Sequence, residues 1–411
     1  MKVLLLTQVL PFPPDSGPKI KTWNVLKCLA RTHEVTLVSF ARGGQSEAVQ
    51  RLRDLCAEVR VVPLRRGIGQ DLWALGRSLA TGHPWLMLRD DRRAMRAAVD
   101  DVALKTPFDI VHADQLNMAQ YALRLPAAIR ILDAHNALSA LYSRLAGTTR
   151  GLGFRWLYRR EARLLRAYEG KIGRQFNLIL TVTEADRASI GATMESVSGA
   201  GPARRPWVIP IAVDTQELQV RPVSESADHI LHIGTMYWPP NVDGVRWFVD
   251  RVMPLIRRQR PQSVLDVLGA NPPPDLKAHN SNGGGIRVTG YVADASPFVE
   301  AAGVYVVPLL AGGGMRVKIL TAMAQGIPVV STRVGCEGID AQPGKDLLVA
   351  DSPIDFAQAT VRVLSEPDLA RELARNGRRL VERKYSLPQL AGQLEAAYQA
   401  AWKVRLCTPS E

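Results

Sequence analysis

The 411-residue chain is poor in cysteine, with only Cys28, Cys56, Cys336 and Cys407 and no C-x-x-C pair. Neither a zinc site nor a disulfide framework is therefore indicated. Long apolar runs are missing too, and none approaches the roughly 18 residues of a membrane-spanning helix. After Met1 and Lys2 only Val3 to Leu6 are apolar before Thr7 and Gln8. That pattern reads as a first β-strand rather than a secretion signal, so a cytoplasmic protein is the simplest expectation. No G-x-G-x-x-G turn follows this strand and no Walker A pattern is present, which argues against a dinucleotide dehydrogenase and a P-loop nucleotidase. Zinc-finger spacing and an aromatic-basic RNP pattern are also absent. Negative charge is in short supply: 52 Lys and Arg against 39 Asp and Glu leave a net charge of +13. Such a balance suits nucleic acid, an anionic membrane surface or a phosphorylated small substrate. Without a nucleic-acid motif, no nucleic-acid partner is expected.

What the chain does have is alternation. Short β-branched runs, among them Val3–Thr7, Glu34–Phe40, Val59–Leu64, Ile110–Ala113, Arg130–Ala134, Leu178–Thr183 and Trp207–Ile211, are separated by helix-length amphipathic segments. One such segment puts Ile20, Trp23, Leu26 and Ala30 on one face. A second series runs through His229–Ile233, Ser263–Leu268, Ile286–Thr289, Val304–Val307, Val329–Ser331 and Leu347–Val349. Alternating β and α units predict parallel sheets with helices on both faces, so the fold class is α/β, with two doubly wound, Rossmann-like domains facing across a cleft. Gly/Pro/Ser-rich breaks at 196–206 and 221–227 place the junction between about 212 and 228. The division taken is 1–215, 216–386 and a C-terminal helix in 387–411.

The most informative stretch is Val306-Val-Pro-Leu-Leu-Ala-Gly-Gly-Gly-Met-Arg-Val-Lys-Ile-Leu-Thr321. A strand ends near Val307, and Gly312, Gly313 and Gly314 then open a helix at about Met315. Glycines let a ligand touch the backbone, while the first helical N–H groups carry the positive end of the helix dipole. Arg316 and Lys318 add full charges at the same mouth. This is an anion site at the carboxyl edge of a parallel sheet, where such folds bind their ligands. No D-x-D pair is present to hold a metal, and no metal site is expected.

The segment from Gly312 to Ile339, with Met-Arg-Val-Lys-Ile-Leu and Ala-Met-Ala-Gln-Gly-Ile-Pro-Val-Val-Ser, closely resembles retaining GT-B-fold glycosyltransferases of family 4. So does His232-Ile-Gly-Thr-Met-Tyr-Trp-Pro-Pro-Asn241. The opening Thr7 to Ile20 is similar to the acceptor-side loop of bacterial, exopolysaccharide-associated members. The resemblance implies an acceptor-side domain (1–215), a donor-binding domain (216–386) and a final helix that crosses back to the first domain. It implies a nucleotide diphosphate sugar as donor substrate, no other cofactor, and a saccharide, lipid-linked or small-molecule acceptor. Arg316 and Lys318 match the family's diphosphate-binding pair. Gly234, Met236, Gly312, Gly313, Gly314 and Met315 fall on the donor side, and Asp15, Ser16 and Gly17 on the acceptor-side loop. One departure stands out. The family's K-x-L-E-A-M pattern places a ribose-binding Glu where this chain has Thr321, and the partner Glu of its E-x₇-E motif falls at Gly313. Losing one charged hydrogen bond weakens binding by about 1.5–3 kcal/mol. Three readings stand: another group such as Glu337 substitutes, the donor carries deoxyribose, or activity is impaired.

On the opposite lip, the first series ends strands at His112, at His135 and at Glu184 and Asp186. His135 matches a position where related enzymes carry a histidine facing the transferred sugar, with Asp133 either orienting it or capping a turn; His112 reads as structural. Tyr237 and Trp238 read as core aromatics. Residues 144–174 carry nine Lys and Arg against only Glu161 and Glu169. Their apolar positions Leu157, Leu164, Leu165, Tyr168 and Ile172 are expected to face the core, leaving a basic face that suits peripheral contact with an anionic membrane. Beside a transferase, two other functions fit the same core: a nucleotide-sugar epimerase or hydrolase, and a non-catalytic nucleotide-sugar-binding subunit.

Overall fold

The computed structural model describes residues 1–41, 43, 46–125, 128–149, 151–197, 204–221, 228–281, 284–312 and 314–406. Gly313, Arg150, Cys407 and most of the two linker segments lie outside the described residues. The chain forms two compact units, one of residues 1–211 with the helix that begins at Leu387, the other Ala212–Ser386.

In unit 1 the strands are β1 (Lys2–Thr7), β2 (Glu34–Ala41), β3 (Glu58–Pro63), β4 (Ile110–Asp114), β5 (Ile129–Ala134), β6 (Leu178–Thr181) and β7 (Trp207–Val208). They form a parallel sheet of order β3-β2-β1-β4-β5-β6-β7, reversing direction of growth at β1/β4. Leu4, Leu6, Val38, Val111 and Leu132, all buried, fill the core. Two strands are shorter than their apolar runs. Thr183 leaves β6 because its hydroxyl caps the next helix, accepting from the Asp186 N–H. Pro206 and Pro210 bracket β7 and supply no N–H to extend its ladder. The helices are α1 (Gly17–Leu29), α2 (Ser46–Arg53), α3 (Ile68–Thr81), α4 (Trp85–Arg89), α5 (Arg93–Lys105), α6 (Leu116–Ala122), α7 (Leu138–Thr148), α8 (Leu152–Gly173) and α9 (Glu184–Glu195). The basic stretch is thus two helices, α7 and α8. Leu165 and Ile172 are buried as expected, but Leu157, Leu164 and Tyr168 are half-exposed, and the inward face also takes Glu161 and Glu169.

Unit 2 has β8 (His229–Ile233), β9 (Val264–Leu268), β10 (Ile286–Gly290), β11 (Ala302–Val307), β12 (Val329–Ser331) and β13 (Leu348–Val349), ordered β10-β9-β8-β11-β12-β13 and parallel throughout. Around them lie α10 (Pro239–Trp247), α11 (Met253–Gln259), α12 (Pro274–Ala278), α13 (Ser296–Ala301), α14 (Val317–Ala324), α15 (Pro353–Ser365) and α16 (Pro367–Lys384). The doubly wound order, with its reversal at β8/β11, opens a crevice at the carboxyl ends of those strands. The last helix, α17 (Leu387–Leu406), belongs to unit 1 and packs on α1 and β5. No described helix is long and apolar enough to cross a membrane.

Candidate functional site

Where β4 and β5 end, Asp114 and Asp133 stand opposite each other in register, both buried. Helix α1 supplies their partners from almost the other end of unit 1's sequence. Lys21 Nζ forms a buried ion pair with Asp133, each side chain 1% exposed. Thr22 Oγ1 lies 2.9 Å from Asp114 Oδ2. His135 Nε2 is 2.9 Å from Asp114 Oδ1, and His112 Nε2 is 3.7 Å from Asp133 Oδ2. From α17, Tyr398 Oη reaches His112 Nδ1 at 2.6 Å. Burial opposes the charge on Asp133, but the Lys21 ammonium, His112 and His135 outweigh it and hold the carboxyl well below the usual carboxylate range. Asp114 engages His135 through Nε2, and Nδ1, on the other side of the ring, is buried with no hydrogen-bond partner among the described residues. His112, Asp114 and Asp133 offer ligand atoms within 4.8 Å of one another. Lys21 sits against the same group through its pair with Asp133.

At the corresponding edge of unit 2 the side chains are small. A Cβ on Gly269 would lie 1.7 Å from the Gly234 carbonyl oxygen, so the loops after β8 and β9 touch backbone to backbone. Below them His232 is buried, with Nδ1 2.9 Å from the Val306 carbonyl; burial lowers its pKa and keeps it neutral. After β11 the chain turns through Gly312 (φ 140°) and Gly314 (φ 78°), a region that side-chain-bearing residues avoid. Arg316 Nη1 donates to the Gly314 carbonyl at 2.7 Å, so the guanidinium braces the turn. Lys318 is exposed on the first turn of α14. Together with Thr321, one turn further on, it lines a pocket of about 170 Å³ whose other walls include Leu231, Ile233, Ser296 and Tyr305. Thr321 Oγ1 bonds the Val317 carbonyl of its own helix at 3.1 Å.

Residues 227–366, wholly within unit 2, match the family model described as glycosyl transferases group 1. Over 97% of its length the chain superposes on all of HepE from Anabaena, solved in complex with UDP-glucose, at 14% identity and a TM-score of 0.67. The match to sucrose-phosphate synthase from Thermosynechococcus elongatus covers 98% of this chain and 100% of that one, at 17% identity and a TM-score of 0.67. The fold is GT-B. In sequence the chain is 21% identical over 397 residues to a Klebsiella pneumoniae protein described as an uncharacterized 44.6 kDa protein in the cps region, covering 93% of this chain and 96% of that one.

Within this GT-B frame the expected residues fall into distinct settings. Arg316, Lys318, Gly312 and Gly314 meet at one turn, and Thr321 shares the pocket with Lys318; Gly313 is outside the described residues. Helix α14 starts at Val317, not Met315, because Arg316 is extended (φ −90°, ψ 91°) and Met315 is buried. Met236 turns into the core of unit 2, and Glu337 sits half-buried in the turn after β12, outside the residues lining the pocket. Tyr237 and Trp238 are not core residues: they are 67% and 41% exposed, because the chain leaves β8 for the N-terminus of α10 there. In unit 1, Asp15 pairs with Lys19 at 3.1 Å. Ser16 is the extended N-cap of α1, its carbonyl accepting from Ile20 N–H at 2.8 Å, and Gly17 begins the helix. Asp133 neither orients His135 nor caps a turn; Asp114 holds His135, and Asp133 answers Lys21. Lys21, Thr22 and Asp114 escaped the sequence reading, which treats a lysine in an amphipathic helix as solvated.

Proposed function

We propose that this GT-B protein transfers a sugar from a nucleotide diphosphate donor to a saccharide, lipid-linked or small-molecule acceptor, with retention of anomeric configuration and without a metal. The observation that carries the reading is the pocket shared by Lys318 and Thr321 inside the group 1 glycosyltransferase domain. These are the positions that match the family's diphosphate- and ribose-binding groups. HepE, which shares the fold, was solved with UDP-glucose, and that supports a nucleotide sugar as donor.

Breaking the bond between the anomeric carbon and the diphosphate oxygen sends the electron pair to the diphosphate and leaves oxocarbenium character on the sugar. The barrier falls in proportion to how much better the site binds that departing charge than the ground state. Lys318 contributes a point charge, Arg316 a planar fork, and the N–H groups around Gly312 and Gly314 aligned dipoles. The acceptor hydroxyl attacks on the face the diphosphate leaves, and its proton passes to a leaving phosphate oxygen, so no protein nucleophile is consumed. His135, held through Nε2 by Asp114, offers Nδ1 to a hydroxyl of the transferred sugar. The cationic pair performs the leaving-group stabilisation that a divalent ion performs elsewhere.

Calorimetric titration with UDP, GDP, dTDP and ADP in the presence of a chelator tests the reading. One nucleotide is expected to bind saturably, and Lys318→Ala to weaken it at least tenfold while leaving the thermal midpoint unchanged. In a turnover assay the same variant should lose on the order of 10²–10³ in rate. A preference for dTDP over UDP supports a deoxyribose donor, since Thr321 offers a ribose diol no carboxylate. Binding of a nucleotide sugar without turnover under any acceptor condition favours a non-catalytic subunit. No binding of any nucleotide sinks the proposal.

A further inference from the structure

Helix α8 spends its only two acids inside. Glu161 (1% exposed) accepts from the Trp85 and Leu86 N–H groups at 3.1 and 3.0 Å, capping α4. Glu169 (4% exposed) accepts from the Ser139 N–H at 3.3 Å in the first turn of α7. Neither is left to neutralise the outer face. That face carries Leu152, Trp156, Arg159, Arg163 and Arg166 at successive spacings of 4, 3, 4 and 3, a single helical stripe. All five are exposed, and among the described residues the three arginines have no acidic partner. Trp156 and the arginines wall a groove of about 690 Å³ between α7, α8 and α9, floored by small residues such as Ala140 and Ala162.

The neighbouring helix continues the surface. Arg160 ties α8 to α3 by donating to the Ser78 hydroxyl at 2.9 Å and the Ser78 carbonyl at 2.6 Å. Helix α3 then turns Ile68, Leu72 and Leu79 outward on one side, 81%, 61% and 53% exposed, with Trp73 (60%) at its margin. Large apolar side chains set in a contiguous exposed patch mark an interaction surface. Here they stand on the helix that Arg160 ties to α8, whose outer arginines have no acidic partner among the described residues.

We propose that the α3–α8 face of unit 1 docks on an anionic phospholipid bilayer. Leu152 and Trp156 at one end of the stripe reach the acyl boundary, while arginine stems lie along it and their heads meet lipid phosphates. Charge complementarity selects this occupant: a water-soluble acidic partner would use the arginines but leave Ile68, Leu72 and Leu79 exposed. The inference does not rest on the transferase reading, because every residue it uses is in unit 1 and none lies at the nucleotide pocket.

Co-sedimentation of the full chain with phosphatidylcholine vesicles, with and without phosphatidylglycerol, tests it. Binding is expected only to the anionic vesicles and should weaken as salt rises. The triple variant Arg159→Ser, Arg163→Ser, Arg166→Ser should lose about a hundredfold in affinity at low salt. Leu72→Ser with Trp73→Ser should remove the salt-resistant remainder. Thermal melts and nucleotide titration of the same preparations monitor folding and the pocket of unit 2 separately. Equal binding to neutral vesicles, no vesicle binding, or binding indifferent to both variants overturns the proposal. So does a sedimentation experiment in which Leu72→Ser with Trp73→Ser turns an oligomer into a monomer, for then a second copy covers the face.

Discussion

At the carboxyl ends of β4 and β5, unit 1 buries two aspartates, two histidines and a lysine in mutual contact, closed by Thr22 and Tyr398. At the carboxyl ends of β8, β9 and β11, unit 2 places glycines, a bracing arginine and an exposed lysine. The two sheets share a topology of doubly wound parallel strands, yet one edge closes on a buried ion pair and the other presents an exposed lysine at a glycine turn. A buried ion pair is costly to break because each partner's desolvation has already been met by the other. An exposed cation at a glycine turn costs the fold little and gains its value when an anion arrives. A shared topology therefore says nothing about which edge is open to a ligand; the burial or exposure of its charges does.

Breaking the pair in unit 1 should give the largest effect. Lys21→Met leaves the Asp133 carboxylate buried without its cation, and unfolding free energy by urea denaturation should fall by about 3–5 kcal/mol. Adding Asp133→Leu should recover much of the loss. A variant that unfolds like the parent would show that the ion pair contributes nothing to this edge. The counterpart in unit 2 needs no charge at all. Gly269→Ala pushes a methyl to 1.7 Å from the Gly234 carbonyl oxygen, and backbone displacement of that kind costs about 1–3 kcal/mol, read as a lower thermal midpoint together with weaker nucleotide binding.

The smallest effect sharpens the contrast by pH. Burial raises the Glu169 carboxyl from 4.5 to about 7, against the hydrogen bonds from Ser139 and Leu138. Below pH 4.5 the folded and unfolded chains both keep this proton. Between 4.5 and 7 the unfolded chain releases it and the folded chain retains it, so stability present at low pH is lost as pH rises towards 7. Glu169→Gln removes that slope. Relative to the parent it should gain about 2 kcal/mol between pH 5 and pH 8 in paired denaturation curves; parallel curves would place Glu169 in contact with solvent.

Much of the scaffold was legible because its signals are local. Each strand in the two series was visible as a β-branched run, and Gly312 to Lys318 announced a glycine turn opening a helix through residues adjacent in sequence. The limits were also physical. Periodicity put Ile20, Trp23 and Leu26 on a core face of α1, but the structure buries every residue from Lys21 to Leu26, since α17 covers the side expected to meet water. Lys21 finds Asp133 across 112 positions, and His112 finds Tyr398 across 286; no window along the chain spans either pair. Nothing in the spacing of Glu161 and Glu169 told that the N-termini of α4 and α7 would be brought against them. Sequence spacing reports what a helix offers, and only the packing decides which side is spent.

Tyr398 also fixes an order of events. Unit 1 is assembled from two stretches of chain, with all 175 residues of Ala212–Ser386 inserted between them. As the polypeptide is synthesised from its N-terminus, His112 and the cover of α1 must wait until α17 has emerged, after the whole of unit 2 has been made. The later unit can close its own core first. The first half of the message is thus the last part of the protein to be finished, and shortening the chain before Tyr398 would leave the earliest-made sheet with the Nδ1 of its buried histidine stripped of the tyrosine hydroxyl.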